Sequence, residues 1–267
     1  MQVLSKIIIS FLILFIIFTI LEKLFPAIRT KRVFREGFKL DLLYWVVAPT
    51  INAAIKNGSA IVVIILTATI LGLKLDDDIV QGFGPISQQP AGLVIVEMLL
   101  LGDFIGYWTH RWFHRQRLWK FHAIHHSSED LDWLSSVRVH PLNQAISNSI
   151  NVAVMLALGF PLMALAAYLP FILFYSILLH ANVSWSFGPF RYVIASPRFH
   201  RWHHTSEEQG MDKNFAGLFP IYDLIFGTFY MPRNKQPVQF GLLDKDLPNT
   251  LWGQMCYPFK KNSNEVQ

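Results

Sequence analysis

The hydrophobic positions of this chain gather into long runs divided by short charged stretches. Residues 3–21, VLSKIIISFLILFIIFTIL, form a nearly unbroken apolar run close to the roughly 20 residues that a helix needs to cross a bilayer core. No small-residue cleavage site follows before Glu22 and Lys23, so the run reads as a retained anchor rather than a signal peptide. Residues 42–56 are apolar but short and interrupted by Pro49 and Asn52, and they read as interfacial or re-entrant. Residues 60–75 read as a short crossing, and 91–107 as a return. Residues 145–179, broken by Gly159, Phe160 and Pro161, read as a helical hairpin that leaves and returns on one side. The stretch 232–267, set with Pro232, Pro237, Pro248 and Pro258, reads as a polar tail.

Charge orients these spans. Residues 29–39 hold five basic side chains against Glu36, whereas 76–90 hold Asp76, Asp77 and Asp78 and no lysine or arginine. Positive loops stay in the cytoplasm, so the first loop is inside and the second outside. Arg111, Arg115, Arg117 and Lys120 mark a further cytoplasmic end, provided that residues 42–56 do not cross. With 52% hydrophobic and 15% charged residues the chain departs from soluble proteins, where about a quarter are charged. The net charge of +5 sits beside apolar segments, not in an aromatic-interleaved stripe, and nucleic acid is not an expected partner. The lone Cys256 excludes an intrachain disulfide and lies far from the histidines.

Eight of the ten histidines fall in three clusters: His110 and His114; His122, His125 and His126; His200, His203 and His204. Residues three and four apart share a helix face, so HRWFH, HAIHH and HRWHH each direct imidazoles to one side. A lone histidine is usually a satisfied polar residue; three clusters at the ends of membrane helices make a nitrogen-rich cage for metal. Imidazole suits iron, zinc, copper and nickel, and eight ligands exceed one tetrahedral ion, so two metals are expected. Arg111 and Arg201 stand where a zinc protease needs its glutamate.

The boxes HRWFH (110–114), LWKFHAIHHS (118–127) and SPRFHRWHH (196–204) resemble those of the fatty acid hydroxylase and sterol desaturase superfamily. The resemblance extends to Asp103, Tyr107 and Trp108, to VRVHPL (137–142), HANV (180–183) and NFAGLFPIYDLIFGT (214–228), covering about residues 90–230. It implies an integral membrane, non-haem diiron oxygenase that hydroxylates or desaturates a lipid with dioxygen and externally supplied electrons. Two iron ions are the implied cofactor, with zinc able to replace them in purified protein. The eight clustered histidines become the implied catalytic metal ligands. His180 is either a ninth ligand or a helix-capping residue, since Asn182 and Ser184 stand where some relatives carry another histidine. His140 is expected to support a ligand from behind or to face substrate rather than to bind metal. Asp103, seven residues before His110 on the same helix face, is expected to accept from a ligand N–H, as are Asn214 and Asp223, which can equally cap turns. Ala216 and Tyr222 depart from the glycine and tryptophan common in the family.

The expected fold is all-α, a multi-pass membrane helical bundle with a cytoplasmic, histidine-rich metal-binding cap. Residues 1–90 form the anchor region, 91–230 the catalytic domain and 231–267 the tail. Trp108, Trp112, Trp119 and Trp133 read as interfacial aromatics rather than a channel. With no GxGxxG fingerprint and no haem domain, electrons must come from a separate cytochrome, ferredoxin or reductase. A histidine-rich metal transporter or sensor, and a haem protein, stand as alternatives from other classes; haem leaves most of the histidines unexplained.

Overall fold

The structure is a computed structural model that describes residues 2–29, 32–75, 77–244 and 246–260. Within these residues the chain is helical and lacks strands, apart from the isolated bridges Pro26–Val183 and Thr205–Phe240. Thr30, Lys31 and Asp76, on which part of the charge reading rests, lie outside the described residues, as does the end of the tail from 261 to 267.

Helix α1 spans Gln2–Leu24, over the run read as an anchor. Helix α2 (Phe38–Val47) passes through a π-helical turn, Ala48–Asn52, into α3 (Ala53–Leu71) without a break. Pro49 has no N–H to continue the ladder, and the wider turn absorbs the fault, with Thr50 Oγ1 donating to the carbonyls of Val46 (3.3 Å) and Val47 (3.1 Å). The segment 42–56 is therefore part of one long helix. The crossing read at 60–75 is shifted to Thr50–Leu71, because Gly72 adopts φ 68° and turns its N–H back onto the last carbonyls. The apolar run continues past Gly72, which is why hydropathy alone overshoots.

Two short helices, α4 (Asp77–Gln81) and α5 (Gly84–Ser87), lead to α6 (Ala91–Phe113) and α7 (Gln116–His126). Helices α8 (Pro141–Ala157) and α9 (Leu162–His180) flank the expected break. Gly159 holds φ 88° there, and any Cβ would strike the Phe83 carbonyl oxygen. The two arms do not pack as a closed hairpin: α8 lies mainly along α3 and α6, and α9 against α10 (Pro197–His203). Short α11 (Ile221–Ile225) and α12 (Leu251–Cys256) complete the chain. The expected tail is partly folded, since Leu247, Leu251 and Met255 pack on Leu40, Tyr44 and Ile124.

Among the described residues three helices are long and apolar enough to cross a membrane: Thr50–Leu71, α6 and α9. Only 6% of the Thr50–Leu71 window is buried, so its apolar surface needs an apolar solvent. α1, α6 and α9 run towards the histidine end, where Glu22 accepts from the N–H groups of Trp133 (3.1 Å) and Asn182 (2.8 Å). That end is braced by buried ion pairs: Arg35 with Asp132 (2.5 Å) and Asp41 (2.7 Å), and Arg138 with Asp41 (2.6 Å). Trp133 does not approach the histidines; it stacks among Phe11, Phe18 and Trp45.

Candidate metal centre

Four helices end at one place. His110 and His114 close α6, His122, His125 and His126 close α7, His180 closes α9, and His200, His203 and His204 close α10. Ser196 starts α10 by accepting from the Phe199 N–H (3.2 Å), with Pro197 at its first position, which fixes the register of the third box.

The nine side chains divide into two nests. One holds His110, His114, His122, His126 and His203; the other holds His125, His180, His200 and His204. The division cuts across the sequence clusters. On α7 the i, i+4 pair His122 and His126 serves the first nest and His125 the second; on α10 His200 and His204 serve the second and His203 the first. Residues four apart differ by about 40° around a helix, while adjacent ones differ by about 100°, so one histidine of each triplet must turn away. The nests abut where the rings of His126 and His204 stack at 4.3 Å.

Hydrogen bonds fix the tautomers. Nδ1–H of His110 donates to the Phe215 carbonyl (2.8 Å), His125 to Arg138 (3.2 Å), His180 to Ser176 (2.7 Å) and His203 to Lys213 (2.8 Å). His122 donates to Asn143 Oδ1 (2.9 Å) and His114 to Asp212 Oδ1 (3.0 Å). A neutral imidazole with its proton on Nδ1 offers only a lone pair at Nε2. Yet Nε2 of His110 faces Nε2 of His122 at 3.0 Å, and Nε2 of His180 faces that of His125 at 2.9 Å. Facing lone pairs repel unless a cation lies between them. Such spacings equal the edge of a coordination shell with metal–nitrogen bonds of about 2.1 Å. The buried Nε2 atoms of His114 and His203 likewise have no hydrogen-bond partner. The donor set thus fits metal in both nests. Burial pushes His122, His125, His126, His200, His203 and His204 well below the ordinary histidine range, with repulsion between the rings adding to it, so these imidazoles are neutral, as metal binding would require.

The other expected residues act at one remove. Asp103 accepts no histidine N–H; its carboxylate takes the backbone N–H groups of Gly217 (2.9 Å), Leu218 (2.9 Å) and Phe219 (2.7 Å). Asp223 takes those of Phe215 (2.8 Å) and Ala216 (2.9 Å). Asn214, at φ 58°, donates to the carbonyls of Phe199 (2.8 Å) and Tyr230 (2.7 Å). All three shape the loop that presents the Phe215 carbonyl to His110. His140 lies outside both nests and off the cavity wall: it caps α8 by accepting from the Leu142 N–H (3.1 Å) and donates to the Met255 carbonyl (3.2 Å). Asn143 and Asp212, which hold His122 and His114, carry no sequence signal that singles them out, although Asn143 directly follows the VRVHPL motif.

A cavity of about 350 Å³ opens beside the nests between α6, α8 and α9. Apolar Leu99, Ile172, Leu179 and Leu218 line it, together with His110, His125, His180 and His200. On the other side, the Trp119 ring lies against His114 (5.1 Å) and His126 (5.3 Å).

The profile of the fatty acid hydroxylase family matches residues 95–228. The chain belongs to that family. Similar proteins include an ornithine lipid hydroxylase, OlsE, of Rhizobium tropici, 28% identical over 67% of this chain and 54% of its own length. Human alkylglycerol monooxygenase is 38% identical over 52% of the chain and 31% of its own length. A very-long-chain aldehyde decarbonylase, GL1-6, of Oryza sativa subsp. indica is 30% identical over 51% of the chain and 23% of its own length. The chain thus spans about half or less of the curated relatives it matches. No solved structure matches it. Lipid hydroxylases and monooxygenases are thus among the proteins that the chain is similar to.

Proposed function

We propose that the chain is a membrane-embedded diiron monooxygenase that hydroxylates a lipid. The observation that carries the reading is the pair of nests in which neutral Nε2 lone pairs face one another. The eight box histidines and His180 are the proposed ligands, and two irons bound there would activate dioxygen against an unactivated carbon. The balance is R–H + O2 + 2 e⁻ + 2 H⁺ → R–OH + H2O, with electrons from a separate carrier protein. Desaturation, the other outcome, needs the same reductant and oxidant but removes two hydrogens.

The chain's own residues supply position and dryness. Phe113 and Phe215 stand with the histidines on the cavity wall, and the apolar side chains of α6 and α9 favour an acyl chain over water. Asp103, Asp223 and Asn214 are positioning residues for His110 through the loop they tie, and His140 holds the start of α8, where Asn143 orients His122. The basic residues Arg29, Arg32, Arg111, Arg115 and Arg117 flank the histidine end, which supports a cytoplasmic active site reached by several membrane passes. With this goes a division of labour in which 1–90 anchor and 91–230 carry the chemistry, while 231–267 form a polar tail whose Leu247, Leu251 and Met255 pack on Leu40, Tyr44 and Ile124. A transporter would carry ligands towards the midplane, and here they gather at one end.

The test is metal analysis of detergent-purified protein, with oxygen uptake on membrane lipids after ferrous reconstitution and an artificial reductant. About two irons per chain with lipid-dependent uptake is expected. Retention of no metal, or uptake indifferent to lipid, rejects the proposal.

A further inference from the structure

The space beside the metal centre does not stop at the apolar walls of α6 and α9. A second cavity, of about 460 Å³, continues between α3, α6 and α8, and shares Gly106, Thr109, Ser147 and Asn151 with the first. Its wall is mostly apolar, with Ile64, Val152, Leu162 and Leu169, but one side of it is polar where a bilayer-depth surface should be apolar. Gln144, Ser147, Asn148 and Asn151 recur on α8 at i, i+3, i+4 and i+7, which is one stripe of a helix. Across from them stands Lys56, the one charged side chain of the Thr50–Leu71 span. Among the described residues the side chains of Lys56, Gln144, Ser147 and Asn148 have no ion-pair or hydrogen-bond partner. An unpaired ammonium at membrane depth is costly and marks a path for a polar ligand.

The stripe lies at the metal end. Lys56 is six residues into its span, roughly 9 Å along the axis, and Ser147 is roughly 6 Å beyond Asn143, the acceptor for His122, at 1.5 Å per residue. The apolar cavity leads off from the same shared wall.

We propose that this second cavity is a head-group subsite, in which Lys56 pairs with an anionic lipid head group and Gln144, Ser147 and Asn148 hydrogen-bond to it. It deepens the lipid-oxygenase reading and rests on it. A head group held about one helical turn from the ligands leaves only a few bonds to the metals, so the oxidised carbon lies close to the polar end of the lipid. The rest of the chain then occupies the apolar cavity.

Native mass spectrometry of the delipidated full chain tests this with lysophosphatidic acid and monoacylglycerol of one acyl length, which differ by a phosphate. Lysophosphatidic acid is expected to bind about tenfold more tightly. The preference falls to about twofold or less in Lys56→Met and persists in Lys56→Arg and in the surface control Lys39→Met. Monoacylglycerol binding and metal content stay constant in all four proteins, which shows that they are folded. Equal binding of the two lipids by the wild type, or a preference that survives Lys56→Met, overturns the subsite. Displacement of lysophosphatidic acid by an equal concentration of inorganic phosphate overturns its assignment to a lipid. Should Lys56→Met not fold, the wild-type comparison decides alone. Because the readout is binding, a failed oxygen-uptake assay with the preference intact rejects the oxygenase reading and spares the subsite.

Discussion

Replacing Asp103 by asparagine probes how the metal centre is held. The carboxylate accepts three backbone N–H groups, at 2.9, 2.9 and 2.7 Å. Asparagine keeps one oxygen but turns an amide NH2 against at least one of those donors. One bond to a charged acceptor is lost with its donor left unsatisfied, and the other two lose their charge assistance. At about 1.5–3 kcal/mol for a bond to a charged group, the net cost is about 2–4 kcal/mol. For a chain of this size that corresponds to a fall in Tm of roughly 5–12 °C. The loop from Asn214 to Phe219 then no longer fixes the Phe215 carbonyl, and His110 loses the acceptor that holds its tautomer. An outer acceptor of this kind is worth about 10–100-fold in metal affinity. Thermal unfolding in nanodiscs, with metal counted by mass spectrometry after dialysis against a chelator, measures both effects. The variant is expected to unfold earlier and to lose metal from the first nest. Unchanged Tm with full metal retention would refute the chain of support from Asp103 through the loop to His110.

Asn143→Leu removes the acceptor of His122, and metal affinity of the first nest should fall about 10–100-fold with little change in Tm; a chelator titration reads it. Asp41→Ala leaves Arg35 and Arg138 buried without their shared carboxylate, and should cost about 3–5 kcal/mol in unfolding experiments. The metal-free protein should lose stability as pH falls below about 6.5, because its buried histidines resist protons that the unfolded chain accepts. Unfolding midpoints measured from pH 8 to pH 5 check the sign: a midpoint that rises on acidification contradicts neutral, buried rings.

Much of this was legible in the chain because histidine spacing and long apolar runs are local signals. The three boxes, the break at Gly159–Pro161 and the all-helical class follow from patterns within a few turns. The partition into nests is only half local: the i, i+4 spacing sets His125 and His203 apart from their neighbours, but which histidines of the other helices join each of them depends on how α7 and α10 face each other. Asp103 stood out as a carboxylate on an apolar helix, but its partners are three amides more than a hundred residues away. Asp212 is a solvent-facing acid whose pairing with His114 exists only once the loop folds. The span at 60–75 was misplaced because hydropathy does not register that Gly72 ends a helix by taking φ 68°.

Two divalent cations in these nests would bring four positive charges to nine imidazoles that carry none. The four helices that stop there, α6, α7, α9 and α10, all stop with their carbonyl ends. Each such terminus carries about half a negative charge, so their convergence supplies roughly two. Much of the counter-charge here is written into the backbone, with Asp212 beside His114 adding a carboxylate. The backbone share cannot be protonated by acid or deleted by a single substitution, and it leaves every imidazole free to remain a neutral nitrogen donor.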